Sequence, residues 1–246
     1  MSGTIYQAAA GALLQQMRMD MLSNNLANVN TSGFKADHPT FRIPNEEMPA
    51  PPLMEPGRLS PYAPPMEART DFSGGALTRT GSPLDVAIAG KGFFEVQTPE
   101  GNKFTRKGHF AINQQGVLST PEGWPVLGQG GEIAIDGSRI EIDDHGEVFV
   151  DGEAVGVLQV VDFPEPYNLT KQGDTLFVPA QGQEGQPVDP GDTRLVQGHL
   201  EASNVDPIRT MTEIIETMRV FEAYQRIIRT ADEATAKTVS EVGRSS

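Results

Sequence analysis

Both ends of this 246-residue chain carry apolar residues at alternating spacings of three and four, a period that only an α-helix turns to one side. At the N-terminal end Ile5, Ala8, Ala12, Met19, Leu22, Leu26 and Val29 form the row, with Gln15 as its one polar member. The run closes on Asn28, Asn30, Thr31, Ser32 and Gly33, residue types that stop helices and accept turn conformations. At the C-terminal end Asp206-Pro207 supplies an N-cap acceptor followed by the residue best tolerated at a first helical position. Met211, Ile214, Met218, Phe221 and Ile228 then continue the pattern, with Gln225 as the polar member, in a helix expected to run to about Val239. Each Gln is expected to fix register from within its row, as a single polar residue in a seam can. A lone helix is marginal until its apolar face finds a partner. Two such helices, separated by about 170 residues of different character, read as built to pair with each other and with neighbours in an assembly.

The middle of the chain follows other rules. Residues 39–65 hold nine prolines, so an extended, polyproline-like arm is expected there, with neither ladder nor helix running through it. Beyond it short apolar stretches alternate with turn signals. Leu84–Ile88, Ile133–Ile135, Ile140–Ile142 and Val157–Phe163 read as strands. Pro99–Asn102, Asn113–Gly116, Gly128–Gly131, Asp143–Gly146, Asp151-Gly152 and Gln172–Asp174 read as the turns between them. The expected fold class is α+β. Residues 1–35 and 204–246 form a helical, coiled-coil-like domain, residues 36–70 an extended arm, and residues 71–203 an all-β body with hairpins.

Charge narrows the function classes. The formal net charge is −14, and residues 36–205 carry all of it, with 25 acidic against 11 basic residues, while the two ends nearly cancel. A body of that sign repels phosphate backbones and anionic lipid, which argues against nucleic-acid and membrane-surface partners. The chain has no cysteine, so neither a disulfide framework nor a thiolate nucleophile or ligand is available. His38, His109, His145 and His199 lack ligand spacing. The acidic group Asp143, Asp144, Glu147, Asp151 and Glu153 lacks the alternation of a calcium loop and reads as two consecutive turns. Gly90-Lys91-Gly92 and Gly128–Gly131 open no helix and read as turns, not phosphate cradles. No catalytic residue, cofactor, metal or small-molecule substrate is expected. No stretch approaches the ~20 apolar residues of a membrane span. The first residues do not read as a secretory signal either, since no Lys or Arg precedes Arg18 and Gly11 interrupts the apolar stretch.

Three blocks carry a specific resemblance. Ser23-Asn24-Asn25-Leu26-Ala27-Asn28-Val29-Asn30-Thr31-Ser32-Gly33-Phe34-Lys35 is similar, without a gap, to the N-terminal signature of the flagellar rod and hook family. Pro83–Phe94, with Phe104-Thr105-Arg106 and Gly108-His109-Phe110, resembles the first strands of that family's body. Gln197–Val205, which includes Ser203, Asn204 and Val205, resembles its lead into the C-terminal helix, and Arg219, Phe221 and Glu222 follow. The resemblance implies a structural, non-enzymatic subunit that passes through the flagellar export apparatus without cleavage. It would join itself and other rod subunits in a helical tube spanning the periplasm, its acidic body outermost. Chain length points to a rod subunit over a hook subunit, and the proline-rich arm to the proximal over the distal rod. The assembly contacts are expected along the helical rows, from Ile5, Ala12, Met19, Leu22, Leu26 and Val29 to Met211, Ile214, Met218, Phe221 and Ile228. The competing class is a secreted, β-rich adhesin or tail-fibre-like protein whose helices oligomerise.

Overall fold

The computed structural model describes residues 2–41, 66–180, 183, 185–188 and 193–242. Two helices bracket a β-rich middle: α1 spans Ser2–Ala27 and α2 spans Pro207–Val242. Asp206 caps α2 as its residue type predicts, its Oδ1 accepting from the backbone N–H groups of Ile208 at 3.0 Å and Arg209 at 3.1 Å. The chain divides into two compact units. One holds Met1–Ala27, Asp37–Asp71 and Val205–Ser246, and the other holds Asn28–Ala36 and Phe72–Asn204.

In the first unit α1 and α2 pack antiparallel: Gly11 lies against the Tyr224 ring, while Arg18 Nη2 stands 4.0 Å from Glu213 Oε2. A Cβ on Gly11 would sit 2.5 Å from Tyr224 Cζ, so the ring approaches because the residue has no side chain. The inward face of α1 holds Ile5, Ala8, Ala12, Gln15, Met19, Leu22 and Leu26, all buried or half-buried. Val29 does not extend that face, because α1 stops at Ala27 and Val29 falls in the following turn.

The α2 row differs more from its expectation. Ile214, Phe221 and Ile228 are half-buried as expected, but Met211, Met218 and Gln225 are exposed. The covered row runs Thr210, Ile214, Thr217, Phe221, Tyr224, Ile228 and Ala231. Two threonines occupy places that polarity alone would deny them. Each hydroxyl donates to the carbonyl four residues earlier, Thr210 Oγ1 to Asp206 at 2.7 Å and Thr217 Oγ1 to Glu213 at 2.7 Å. The face left over is a methyl group, which packs like alanine.

The first unit also contains a two-stranded ribbon, β1 (Asp37–Phe41) antiparallel to β2 (Met66–Thr70). The expectation of an arm without any ladder fails at its base, since Pro39 pairs with Ala68 inside this ribbon. A strand with an open edge admits a proline where the missing N–H would face away from its partner. The rest of the expected arm, residues 42–65, lies outside the described residues.

The second unit is built on strands β3 (Leu77–Arg79), β4 (Val86–Gly90), β5 (Phe93–Thr98) and β6 (Gly101–Thr105), joined by short strands further along. A six-stranded sheet has the order 169–172, 176–179, β6, β5, 160–162 and 186–187. Each of the six turn signals falls between paired strands: 99–100, 113–117, 129–130, 143–146, 151–152 and 173–175. The expected strand at Ile133–Ile135 is reduced to a single bridge from Ala134 to Val117, although both isoleucines are buried. Consecutive strand residues point to opposite faces, and β5 uses this fully. Phe94 and Val96 enter a core with Val86, Ile88, Phe110, Leu118 and Val126. Phe93 enters a second core with Phe104, Phe163 and Phe177, where Phe104 and Phe163 meet edge to face at 4.8 Å. Late strands close the unit beside its first ones: Thr193–Gln197 pairs with β4, and His199–Glu201 pairs with β3. The chain therefore enters and leaves this body at one place.

Candidate assembly interface

The helices carry apolar surface beyond what their mutual packing covers. On α2, Ile208, Met211, Ile215 and Met218 are 77%, 51%, 54% and 48% exposed, and their spacings of three, four and three place them on one stripe. Val220 and Ile227 are exposed nearer the other flank of the helix. On α1 the exposed large apolar residues are Tyr6, Leu13 and Met17, spaced seven and four and so again on one side. An isolated exposed apolar residue means little, but rows of them on two packed helices are the surface that a partner helix would cover. Met211 and Met218, expected in the row between the helices, belong to this outward surface.

The signature residues do different work on either side of Ala27. Asn25, buried in the first unit, holds the base of β1 with both ends of its amide: Nδ2 donates to the Asp37 carbonyl at 2.8 Å, and Oδ1 accepts from the Asp37 N–H at 3.0 Å. Asn24 and Ala27 are exposed on α1. In the second unit Thr31 Oγ1 bonds to Asn28 Oδ1 at 3.0 Å and so orders the turn that follows the helix. Gly33 has φ of +71°, and its N–H donates to the Glu201 carbonyl at 2.8 Å. Phe34 is fully buried, and Lys171 Nζ lies 3.9 Å from the centre of its ring. Asn204 Oδ1 accepts from the Ala36 N–H at 2.7 Å, and Asn204 Nδ2 reaches the Ser73 Oγ at 3.2 Å. Ser203 is half-buried and Val205 buried where the chain leads into α2.

Among these contacts is an ionic cluster that the sequence reading passed over. Lys35 Nζ lies 2.6 Å from Glu201 Oε1, and both side chains are 1% exposed. Arg106 Nη1 is 3.4 Å from Glu201 Oε2. Glu201 and Arg106 stand inside two of the resembling blocks, but a sequence row cannot show that residues 35, 106 and 201 meet. The only linear hint is that charged residues interrupt otherwise apolar or small surroundings at Phe34-Lys35 and Leu200-Glu201-Ala202.

The acidic turns fit their sequence reading. Asp143 Oδ1 accepts from the N–H groups of His145 at 3.0 Å and Glu147 at 2.8 Å within its own turn, whereas Asp151 accepts from the N–H groups of the distant Ser138 and Arg139. Among the described residues no group of His, Asp and Glu could hold a metal ion. His109 Nδ1 lies 2.6 Å from Asp85 Oδ1, at a backbone bridge between the same two residues, so the pair fastens two segments of the body. Among the described residues no helix is long and apolar enough to cross a membrane.

Comparison with known proteins gives three separate family matches along the chain. Residues 5–35 match the family described as flagella basal body rod protein. Residues 87–150 match the flagellar hook protein FlgE/F/G D1 domain, and residues 196–241 the flagellar basal body rod FlgEFG protein C-terminal family. The chain is 32% identical to the flagellar basal-body rod protein FlgF of Caulobacter vibrioides over 249 residues, which is 99% of each chain. It is 32% identical to FlgF of Mesorhizobium japonicum over the full length of both. Against the flagellar basal-body rod protein FlgG of Agrobacterium fabrum it is 32% identical, over 92% of this chain and 94% of that one.

Proposed function

The chain belongs to the flagellar basal-body rod protein family and is a structural subunit of the bacterial flagellum, and from that premise we propose that it occupies the proximal rod and assembles through the outward faces of α1 and α2. The FlgF-type relatives match it from end to end, which favours the proximal over the distal place. In this reading residues 1–35 and 204–246 form the assembly domain and residues 71–203 the acidic body. The inward rows, with Ile5, Ala12, Met19, Leu22 and Leu26 on one helix and Ile214, Phe221 and Ile228 on the other, hold α1 and α2 together as a coiled-coil-like pair. The outward rows contact other copies and other axial subunits in a helical tube across the periplasm. The chain reaches that place through the flagellar export apparatus without cleavage, and its lack of cysteine keeps stray disulfides out of that passage. Its function is mechanical, as part of a drive shaft for motility, and uses no cofactor.

The observation that carries this reading is the α2 stripe of Ile208, Met211, Ile215 and Met218, each 48% exposed or more beside a face already satisfied by α1. Contacts between different surfaces of successive subunits extend into an open helical array when the rotation between them does not close a ring. Replacing Met211 and Met218 together by Asp tests it. The two positions are solvent-facing in the single chain, so the purified protein should keep its helical content. Incorporation into basal bodies and swimming should be lost. Normal motility in that double variant would contradict the reading.

A further inference from the structure

One buried carboxylate gathers segments that lie far apart in the sequence. Glu201 Oε1 accepts from Lys35 Nζ at 2.6 Å and from the Gly75 N–H at 2.9 Å, and its Oε2 faces Arg106 Nη1 at 3.4 Å. Lys35 Nζ also donates to the Ser73 carbonyl at 2.6 Å. Around this centre the backbone is tied as well, by Gly33 N–H to the Glu201 carbonyl and Ala202 N–H to the Ala76 carbonyl, both at 2.8 Å. A Cβ on Gly75 would stand 1.9 Å from the Ala202 carbonyl oxygen, so the segments touch backbone to backbone. Residues 33–36, which follow α1 in sequence, are thereby clamped to residues 201–204, which precede α2.

Stability alone is a poor account of this arrangement. Buried ion pairs recover little more than their own desolvation, and apolar side chains of similar size commonly do as well. Here two cations share one carboxylate, and Arg106 Nε is buried without a hydrogen-bond partner. What a buried, directional cluster does supply is a single geometry, because any slippage leaves a charge unpaired in a dry interior. Its members also come from the N-terminal signature and from the block that leads into the C-terminal helix.

We infer that Lys35 and Glu201 are positioning residues for rod incorporation, setting the register in which the two chain segments that continue into the helices leave the body. This rests on the reading of the chain as a rod subunit. The separating variant is Lys35→Met. It keeps an aliphatic stem in place and leaves Arg106 and Glu201 as a balanced pair, but removes the donor that joins residue 35 to Ser73 and Glu201.

The test combines amide hydrogen exchange on the full-length chain with its incorporation into basal bodies when it replaces the native subunit. In Lys35→Met, exchange at Gly33, Ala36 and Ala202 should accelerate by about 10-fold or more, the factor that one lost charge-assisted hydrogen bond is worth. Amides of β4 and of 193–197 should exchange as before, and incorporation should fall. Unchanged exchange at the three junction amides overturns the inference, and so does full incorporation of a variant in which they exchange fast. If the core strands lose protection too, Asn204→Ala, which removes the bond to Ala36 without touching a buried charge, carries the same two expectations. The wild-type chain serves as the reference: its absence from basal bodies would defeat the rod reading, while the exchange arm would still decide whether the clamp exists.

Discussion

Gly33 shows how much a single position can demand. Its φ of +71° is costly for any residue with a side chain, and a Cβ there would lie 2.4 Å from the Lys107 backbone nitrogen and 2.5 Å from the Arg106 carbonyl carbon. Backbone atoms cannot rotate out of the way as the end of a side chain can. Gly33→Ala should therefore destabilise the body by roughly 2–4 kcal/mol, strain and overlap together, measurable by denaturant unfolding. A loss below about 0.5 kcal/mol, the range of an ordinary surface change, would show that the turn relaxes freely. The sequence reading placed Gly33 in the turn that closes the first helix, where it is found. It could not assign Lys35, because its partner lies 166 residues away and nothing local marks a lysine as buried. Asn25 lies in the last turn of α1, where a side-chain amide most readily bonds to its own helix. In the structure its amide holds the backbone of Asp37 instead, a role visible only once the chain has turned back on α1.

At the scale of the element, α1 was the more legible helix because its inward row, Gln15 apart, is made of residues that are apolar by type. On α2 the inward row includes Thr210 and Thr217, whose polarity disappears only when the hydroxyl bonds to its own helix. Reading apolar types alone therefore shifted the row by one residue, onto Met211 and Met218. The displaced methionines are the more informative result, since they leave α2 apolar on two sides. Thr217→Val should leave the helix pair intact, with a change in stability within about 1 kcal/mol, because the lost bond duplicates one that the carbonyl already makes in the helix. Thr217→Asp should cost about 3 kcal/mol or more by placing an unpaired charge in the covered row. Thermal melting followed by far-ultraviolet circular dichroism distinguishes them, and equal melting of the two variants would mean that residue 217 does not face α1. Among the strands the hairpin turns were readable one by one from Gly, Asn and Asp, whereas the six-stranded order was not. Pairing of β5 with 160–162 depends on which faces of Phe93 and Phe94 find a core, and that is settled between distant segments.

For the molecule as a whole, the division of charge and of apolar surface follows one logic. The acidic excess lies in residues 36–205 and the uncovered apolar rows lie on the nearly neutral helices. Helices of low net charge can approach copies of themselves without large repulsion, while like-charged bodies stay apart. Composition showed the first half of this, and the alternating spacings showed that the ends were helical. Neither could say which side of α2 remained free, because that depends on how closely Gly11 lets Tyr224 approach. In the assembled rod this free side is expected to meet another rod subunit. A photo-reactive amino acid placed at Met218 in cells, with irradiation of intact basal bodies, examines that contact where it exists. A covalent product joining this chain to a second rod-family subunit is expected, repeated at Met211 about two turns earlier and absent from the dilute purified protein. Basal bodies that contain the labelled chain but yield no such product at either position would contradict it.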